Sequence, residues 1–133
     1  MKLLTIIPAR SGSKGIKNKN LTKFLGESLI LYSINFAKKI KNNNIIVATD
    51  SKKIKEFSSK YLKINNYIRP KNLSKDETPL ESTIYHVVNW AIKENILFDF
   101  ILILQPTSPL KNSKDIEDSL RKYLKKKSES LFS

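Results

Sequence analysis

Cysteine is missing altogether from this chain, and histidine occurs once, at His86. Without thiols there is no disulfide framework and no thiolate metal site, so a Cys-ligated zinc is excluded. A single imidazole, placed on an expected helix away from the polar loops, builds neither a serine or cysteine triad nor a His-rich metal site. No stretch approaches the ~20 apolar residues of a membrane span. Met1-Lys2 leads straight into an apolar run that is too short for a signal-peptide core and lacks a small-residue cleavage site, so a cytoplasmic location is expected. Glycine occurs three times, in neither the Walker A nor the Gly-x-Gly-x-x-Gly spacing, which removes two common phosphate-binding signatures. Repeats and linkers are absent.

What is present is enough for one compact domain over residues 1–133: 40% of the residues are hydrophobic, a content that supports a real core. Lysine and arginine number 25 against 12 acids, a formal charge of +13. Such a balance suits nucleic acid, an anionic membrane face or polyanionic small substrates. Lys, Asn and Ile are abundant throughout, however, as an AT-rich coding sequence produces, so charge alone assigns no partner.

Apolar and polar segments alternate along the chain. Lys2 to Ile7 reads as a strand, and Ser28 to Lys41 as a helix, with Ile30, Ile34, Ala37 and Ile40 near helical spacing. Asn44 to Thr49 is a second, β-branched strand. Ser51 can cap the helix that follows, whose Ile54, Phe57 and Tyr61 share one face. Leu62 to Ile68 fits a short third strand, and Lys71 to Pro79, bracketed by Pro70 and Pro79, fits a loop. Leu80, Ile84, Val87, Val88, Ala91 and Ile92 mark the clearest amphipathic helix. Asp99 to Leu104 is almost wholly apolar, as expected of a central parallel strand covered on both faces. A last helix, Ser113 to Lys126, carries acids early and bases late, the order that suits the helix dipole, and buries Ile116, Leu120, Tyr123 and Leu124. Tyr85 and Trp90 are expected to pack.

This alternation specifies an α/β fold, a mostly parallel Rossmann-like sheet with helices on both faces. Ligands in such sheets bind beyond the carboxyl ends of the strands. Every polar motif falls there. Pro8 to Asn20 follows strand one, Thr49-Asp50-Ser51 strand two, Arg69 to Thr78 strand three, and Gln105 to Ser108 strand four. The first of these segments is cationic and contains Gly12 and Gly15, so backbone N–H groups can approach an anion while Arg10, Lys14 and Lys19 supply charge.

Taken together, Ile7-Pro8-Ala9-Arg10-Ser11-Gly12-Ser13-Lys14-Gly15, Lys19-Asn20-Leu21, Ala48-Thr49-Asp50, Arg69-Pro70 with Ser74-Lys75-Asp76, and Leu104-Gln105-Pro106-Thr107-Ser108-Pro109-Leu110 resemble the amino-terminal portion of the acylneuraminate cytidylyltransferases, also called CMP-sialic acid synthetases. The resemblance spans nearly the whole chain in the right order. It implies the fold of the nucleotide-diphospho-sugar transferases and a transfer of CMP from CTP to a nonulosonic acid, such as N-acetylneuraminate or a legionaminic or pseudaminic relative, with release of pyrophosphate and with Mg²⁺. It also implies roles. Arg10 and Lys19 match residues at the triphosphate, with Ser13 and Lys14 in the same loop; Asn20, Arg69 and Gln105 match residues that hold the nucleoside or its base, and Thr78 is the hydroxyl contact from the third loop. Arginine presents a planar fork to phosphate oxygens, whereas lysine acts as a compact point charge. No metal ligand is assigned, because Asp50 and Asp76 also serve as a helix start and a turn residue.

Family members are considerably longer and form homodimers, and their second half supplies sugar-acid contacts and the aspartates proposed to hold the metal. Here Ser128 to Ser133 reads as the start of a further strand, so a truncated fold carrying mainly the CTP-binding half is expected, and Lys111 stands where relatives often carry arginine. The alternative is a nucleotide-binding fragment without turnover. A nucleic-acid module is the other rival, since Gly12-Ser13-Lys14-Gly15 fits the Gly-x-x-Gly of a KH domain. That loop joins two helices, whereas here a strand leads into it, so nucleic acid is not the expected partner, and neither is a membrane.

Overall fold

The computed structural model describes residues 2–10, 23–24, 27–75, 77–105 and 122. Strand β1 (Leu3–Pro8) lies at the centre of a three-stranded parallel sheet, between β4 (Asn43–Ala48) and β5 (Phe100–Ile103). Its register runs from Leu3 opposite Asn43 to Pro8 opposite Ala48 on one side, and from Leu3 opposite Phe100 to Ile6 opposite Ile103 on the other. Two short strands, β2 (Lys23–Phe24) and β3 (Glu27–Ser28), pair antiparallel and lead into helix α1 (Leu29–Lys38). Helix α2 (Lys52–Ser59) follows β4, and α3 (Leu80–Lys93) precedes β5.

Successive side chains of β1 point to opposite faces, and both faces are covered. Ile7 packs with Ala9, Val47 and Leu104 against Ile30, Ile34 and Ala37 of α1 and Ile54 of α2. Leu4 and Ile6 pack with Ile46, Ala48 and Tyr67 against Val87 and Ala91 of α3. Buried Thr5 of β1 is satisfied: its hydroxyl donates to Asn43 Oδ1 at 2.6 Å, and Asn43 Nδ2 donates to the Ala37 carbonyl at 2.9 Å.

The helix ends follow local chemistry. Ser51 Oγ accepts from the Ile54 N–H at 3.2 Å, the cap anticipated for α2. Helix α3 closes in a Schellman arrangement. The Ile96 N–H reaches the Ala91 carbonyl, the Asn95 N–H reaches Ile92, and Asn95 takes a left-handed φ of 60°.

Four expectations change. Leu62 to Ile68 forms no strand; Asn65-Asn66 interrupts it with residues depleted in strands. The loop after Pro70 contains a single 3-10 turn, Lys71–Leu73. The strand buried on both faces is β1 rather than β5, because α3 lies against β1 and β4 and leaves Ile101 and Ile103 exposed. On α3, Ile92 and Tyr85 are exposed, Tyr85 by 72%, whereas Trp90 packs as expected. The expected last helix lies outside the described residues, Lys122 excepted.

Candidate functional site

Strands β1 and β4 end level, with Pro8 opposite Ala48, β5 ends two residues earlier with Ile103 opposite Ile6, and main-chain bonds tie the three carboxyl ends together. The Ala9 N–H donates to the Ala48 carbonyl at 2.9 Å, which carries the β1–β4 pairing one residue past the sheet and sets Arg10 at its rim, half-buried. The Leu104 N–H donates to the Ile6 carbonyl at 3.0 Å. Extending that register by two residues places Gln105, exposed, beside Pro8. Beyond β4, Thr49 is buried and its hydroxyl accepts from the Ser51 N–H at 3.0 Å, which turns the chain sharply at Asp50.

Arg69 enters this edge from the segment that follows α2. Its N–H bonds the Thr49 carbonyl at 3.4 Å, and its side chain is only 5% exposed. Nη1 donates to the Ala48 carbonyl at 3.3 Å, while Nε and Nη2 both donate to the Leu73 carbonyl, at 3.3 and 3.1 Å. Leu73 O also accepts from the buried Thr83 hydroxyl of α3 at 3.4 Å. One guanidinium therefore bridges the end of β4 to the loop that leads into α3. Thr78 is in that loop, half-buried, with its N–H on the Lys75 carbonyl.

The electrostatics register the same convergence. Burial lowers the Arg69 pKa, Asp50 and the neighbouring Tyr67 raise it, and the charge of Arg10 lowers it again. Among the described residues, two guanidinium groups and one carboxylate thus share the edge, with positive charge in excess. Among the described residues no group of three or more His, Cys, Asp or Glu side chains could hold a metal ion.

Tyr67, two residues before Arg69, anchors the segment from the other side. Its ring meets Trp90 edge-on, with centroids 5.3 Å apart at 88°, and a 2.8 Å hydrogen bond joins its hydroxyl to His86 Nδ1. Sequence reasoning missed this trio, because residues 67, 86 and 90 meet only through packing; the one available signal was that His86 and Trp90 lie four apart on α3. Burial pushes the Tyr67 phenol up to about 12, against the lowering effect of Arg69.

A raised phenol pKa makes its stabilising contribution complete below about pH 10, where folded and unfolded tyrosine are both protonated. The contribution is lost as pH rises toward 12, because the unfolded chain releases its proton first. A shift of this size corresponds to roughly 2 kcal/mol. Urea denaturation of the parent and of Tyr67→Phe across this range is expected to show the parent losing about that much more stability than the variant; parallel losses would mean that the phenol is solvated in the fold.

Of the residues singled out by sequence, Arg10, Asp50 and Arg69 are brought together, and Gln105 and Thr78 stand at the same edge. Ser13, Lys14, Lys19, Asn20 and Asp76 lie outside the described residues.

Comparison with known proteins bears on the family and the fold. The family model described as cytidylyltransferase matches residues 4–133. The chain is 35% identical over 133 residues to the pseudaminic acid cytidylyltransferase of Campylobacter jejuni, covering 99% of this chain and 57% of the relative. It is 31% identical to the CMP-N,N'-diacetyllegionaminic acid synthase of Legionella pneumophila, covering 90% and 52%. The chain therefore spans about half the length of the curated relatives it matches. Among solved structures, a CMP:2-keto-3-deoxy-manno-octonic acid synthetase in complex with CTP shares the fold, with a TM-score of 0.71 at 22% identity over 91% of this chain and 46% of that one. A cytidylyltransferase from Leptospira borgpetersenii gives a TM-score of 0.63 at 22% identity, covering 93% and 49%. With the family model matching from the second residue of β1 onward, and the parallel sheet, its polar edge and these relatives in agreement, the chain belongs to the cytidylyltransferase family.

Proposed function

We propose that this chain carries the CTP-binding half of an enzyme that transfers CMP to a nonulosonic acid. The observation that carries the reading is the meeting of Arg10, Asp50 and Arg69 at the carboxyl edge of a parallel sheet, where nucleotides bind in this architecture. In the reaction, a hydroxyl oxygen of the sugar acid forms a bond to the α-phosphorus of CTP, the bond from that phosphorus to the β-phosphate oxygen breaks, and the hydroxyl proton passes to solvent. Negative charge grows on the phosphoryl oxygens and on the departing pyrophosphate, so the protein's task is position and charge.

Arg10 and Lys19 meet the triphosphate in this reading, assisted by Ser13 and Lys14. Asn20 and Gln105 read the base, because an amide can donate to the cytosine ring carbonyl and accept from its exocyclic amine, which uracil cannot match. Thr78 contributes a hydroxyl. Arg69, with three donors committed to Ala48 and Leu73, serves the nucleoside by holding the wall against which it rests. The acids named for the relatives make a pseudaminic or legionaminic type the substrate to try first. A Mg²⁺ ion would neutralise charge on the triphosphate, but the described residues do not make a site for it, since Asp50 is the one carboxylate in the group formed with Arg10 and Arg69. A homodimer and a cytoplasmic location complete the proposal. No described helix is long and apolar enough to cross a membrane.

Equilibrium binding of CTP, UTP and GTP to the 133-residue chain with Mg²⁺ tests the reading. CTP is expected to bind at least about tenfold more tightly than UTP, the size of one net hydrogen bond of about 1.4 kcal/mol. Equal affinities for the three nucleotides would remove the cytidine assignment, and no binding by a folded chain would remove the site.

A further inference from the structure

The failure of residues 60–64 to pair with β4 leaves a cleft of about 390 Å³ beside the first half of that strand. It lies at the amino edge of the sheet, roughly 16 Å along β4 from the Arg69 edge at 3.3 Å per residue. Lys38, Lys60 and Lys63 line it, none of the described lining residues is acidic, and Ile45, Leu62 and Ile64 form its apolar wall. Tyr61 stands between the two, its ring 5.8 Å from Lys38 Nζ.

The ordinary explanation for such lysines is dipole compensation. Lys38 ends α1 and Lys60 is the C-cap of α2, so each faces a helix carboxyl terminus. Two termini supply only about one negative charge between them, at roughly half a charge each. Three ammonium groups exceed that, and Lys63 lies beyond either helix. The cleft is thus left cationic, and its volume falls in the range of small-molecule pockets, roughly 300–1,000 Å³, far above what a lone phosphate fills.

We propose that this cleft is a second ligand site, distinct from the nucleotide edge, and that it takes an aromatic phosphomonoester. The phosphate meets Lys38, Lys60 and Lys63, and the aromatic body lies on the Ile45, Leu62 and Ile64 wall beside Tyr61. The inference is independent of the function proposed above, because it uses none of the same residues.

The test is titration of the isotope-labelled 133-residue chain at physiological salt with adenosine monophosphate, a hexose monophosphate and inorganic phosphate, read by backbone amide shifts. Adenosine monophosphate is expected to move the amides of Asn44, Ile45 and residues 61–64. It should bind about tenfold more tightly than inorganic phosphate, the gain from burying roughly 50–60 Å² of aromatic surface. The double variant Lys60→Ala/Lys63→Ala should weaken it by about tenfold, at up to 1 kcal/mol for each exposed ion pair, while lowering the melting temperature by no more than about 4 °C, the share of Lys60 at the α2 carboxyl terminus. Shifts confined to Thr49, Asp50 and Arg69 would place all nucleotide at the other edge and overturn the proposal. So would shifts at residues 61–64 that the lysine variant leaves unchanged. Equal affinity for the hexose monophosphate would overturn the aromatic assignment. Loss of CTP binding at the sheet's carboxyl edge affects none of these readings.

Discussion

Arg69→Ala is expected to lower the unfolding free energy of this chain by about 3 kcal/mol. The side chain is 5% exposed and donates three hydrogen bonds from a charged group, each worth roughly 1.5–3 kcal/mol when formed by an ion. The total is held down by what remains after truncation. Ala48 O keeps the Ala9 N–H, and Leu73 O keeps the Thr83 hydroxyl, so neither buried acceptor is stranded. For a chain of 133 residues, that loss corresponds to a melting temperature lower by about 10 °C. Arg69→Lys should fall between the two, since an ammonium supplies the charge but cannot span the Ala48 and Leu73 carbonyls with a rigid fork. Thermal melts followed by circular dichroism decide the matter. A variant melting within about 2 °C of the parent would mean that the bridge is not holding β4 to the loop before α3.

Arg10→Ala is expected to act on affinity rather than on stability. Arg10 sits half-buried at the rim, one residue past the last main-chain bond between β1 and β4. A bidentate arginine–phosphate contact contributes on the order of 2 kcal/mol, so CTP affinity should fall by about thirtyfold, with a smaller change in melting than Arg69→Ala produces. Arg10→Lys should recover only part of it, because a point charge keeps the attraction and loses the fork. Calorimetric titration of CTP into the three proteins measures this directly. Unchanged affinity in Arg10→Ala would move the triphosphate away from the first loop and leave Arg69 as the edge's only arginine of consequence among the described residues.

The contrast between these two arginines marks how far the sequence could be read. Both follow a strand or an expected strand, and nothing in their local sequence separates a half-buried residue at the rim from a buried one folded back onto carbonyls. That difference is tertiary: Leu73 and Ala48 are distant from each other along the chain and meet only around the guanidinium. By contrast, β1, β4, α1, α3 and the Ser51 cap were legible because each is dictated by period or by a short-range bond. The expected third strand does not form although Leu62, Ile64, Tyr67 and Ile68 carry the right hydrophobicity, because Asn65-Asn66 interrupts the run with residues depleted in strands. Assigning both-face burial to Asp99–Leu104 failed for a related reason. An apolar run reports what a strand tolerates, whereas coverage depends on where the crossover helix lands.

The sharing of one acceptor, Ala48 O, by the Ala9 N–H and Arg69 Nη1 has a consequence for heredity. A carbonyl oxygen of the main chain is not encoded by any codon, so point mutation at position 48 cannot delete it and can act only by crowding the buried space that alanine now leaves. The anchor of the candidate site is therefore shielded from most of the genetic drift that erodes side-chain contacts. Its exposed points are the two donors: proline at position 9, which has no N–H to give, and any replacement of Arg69.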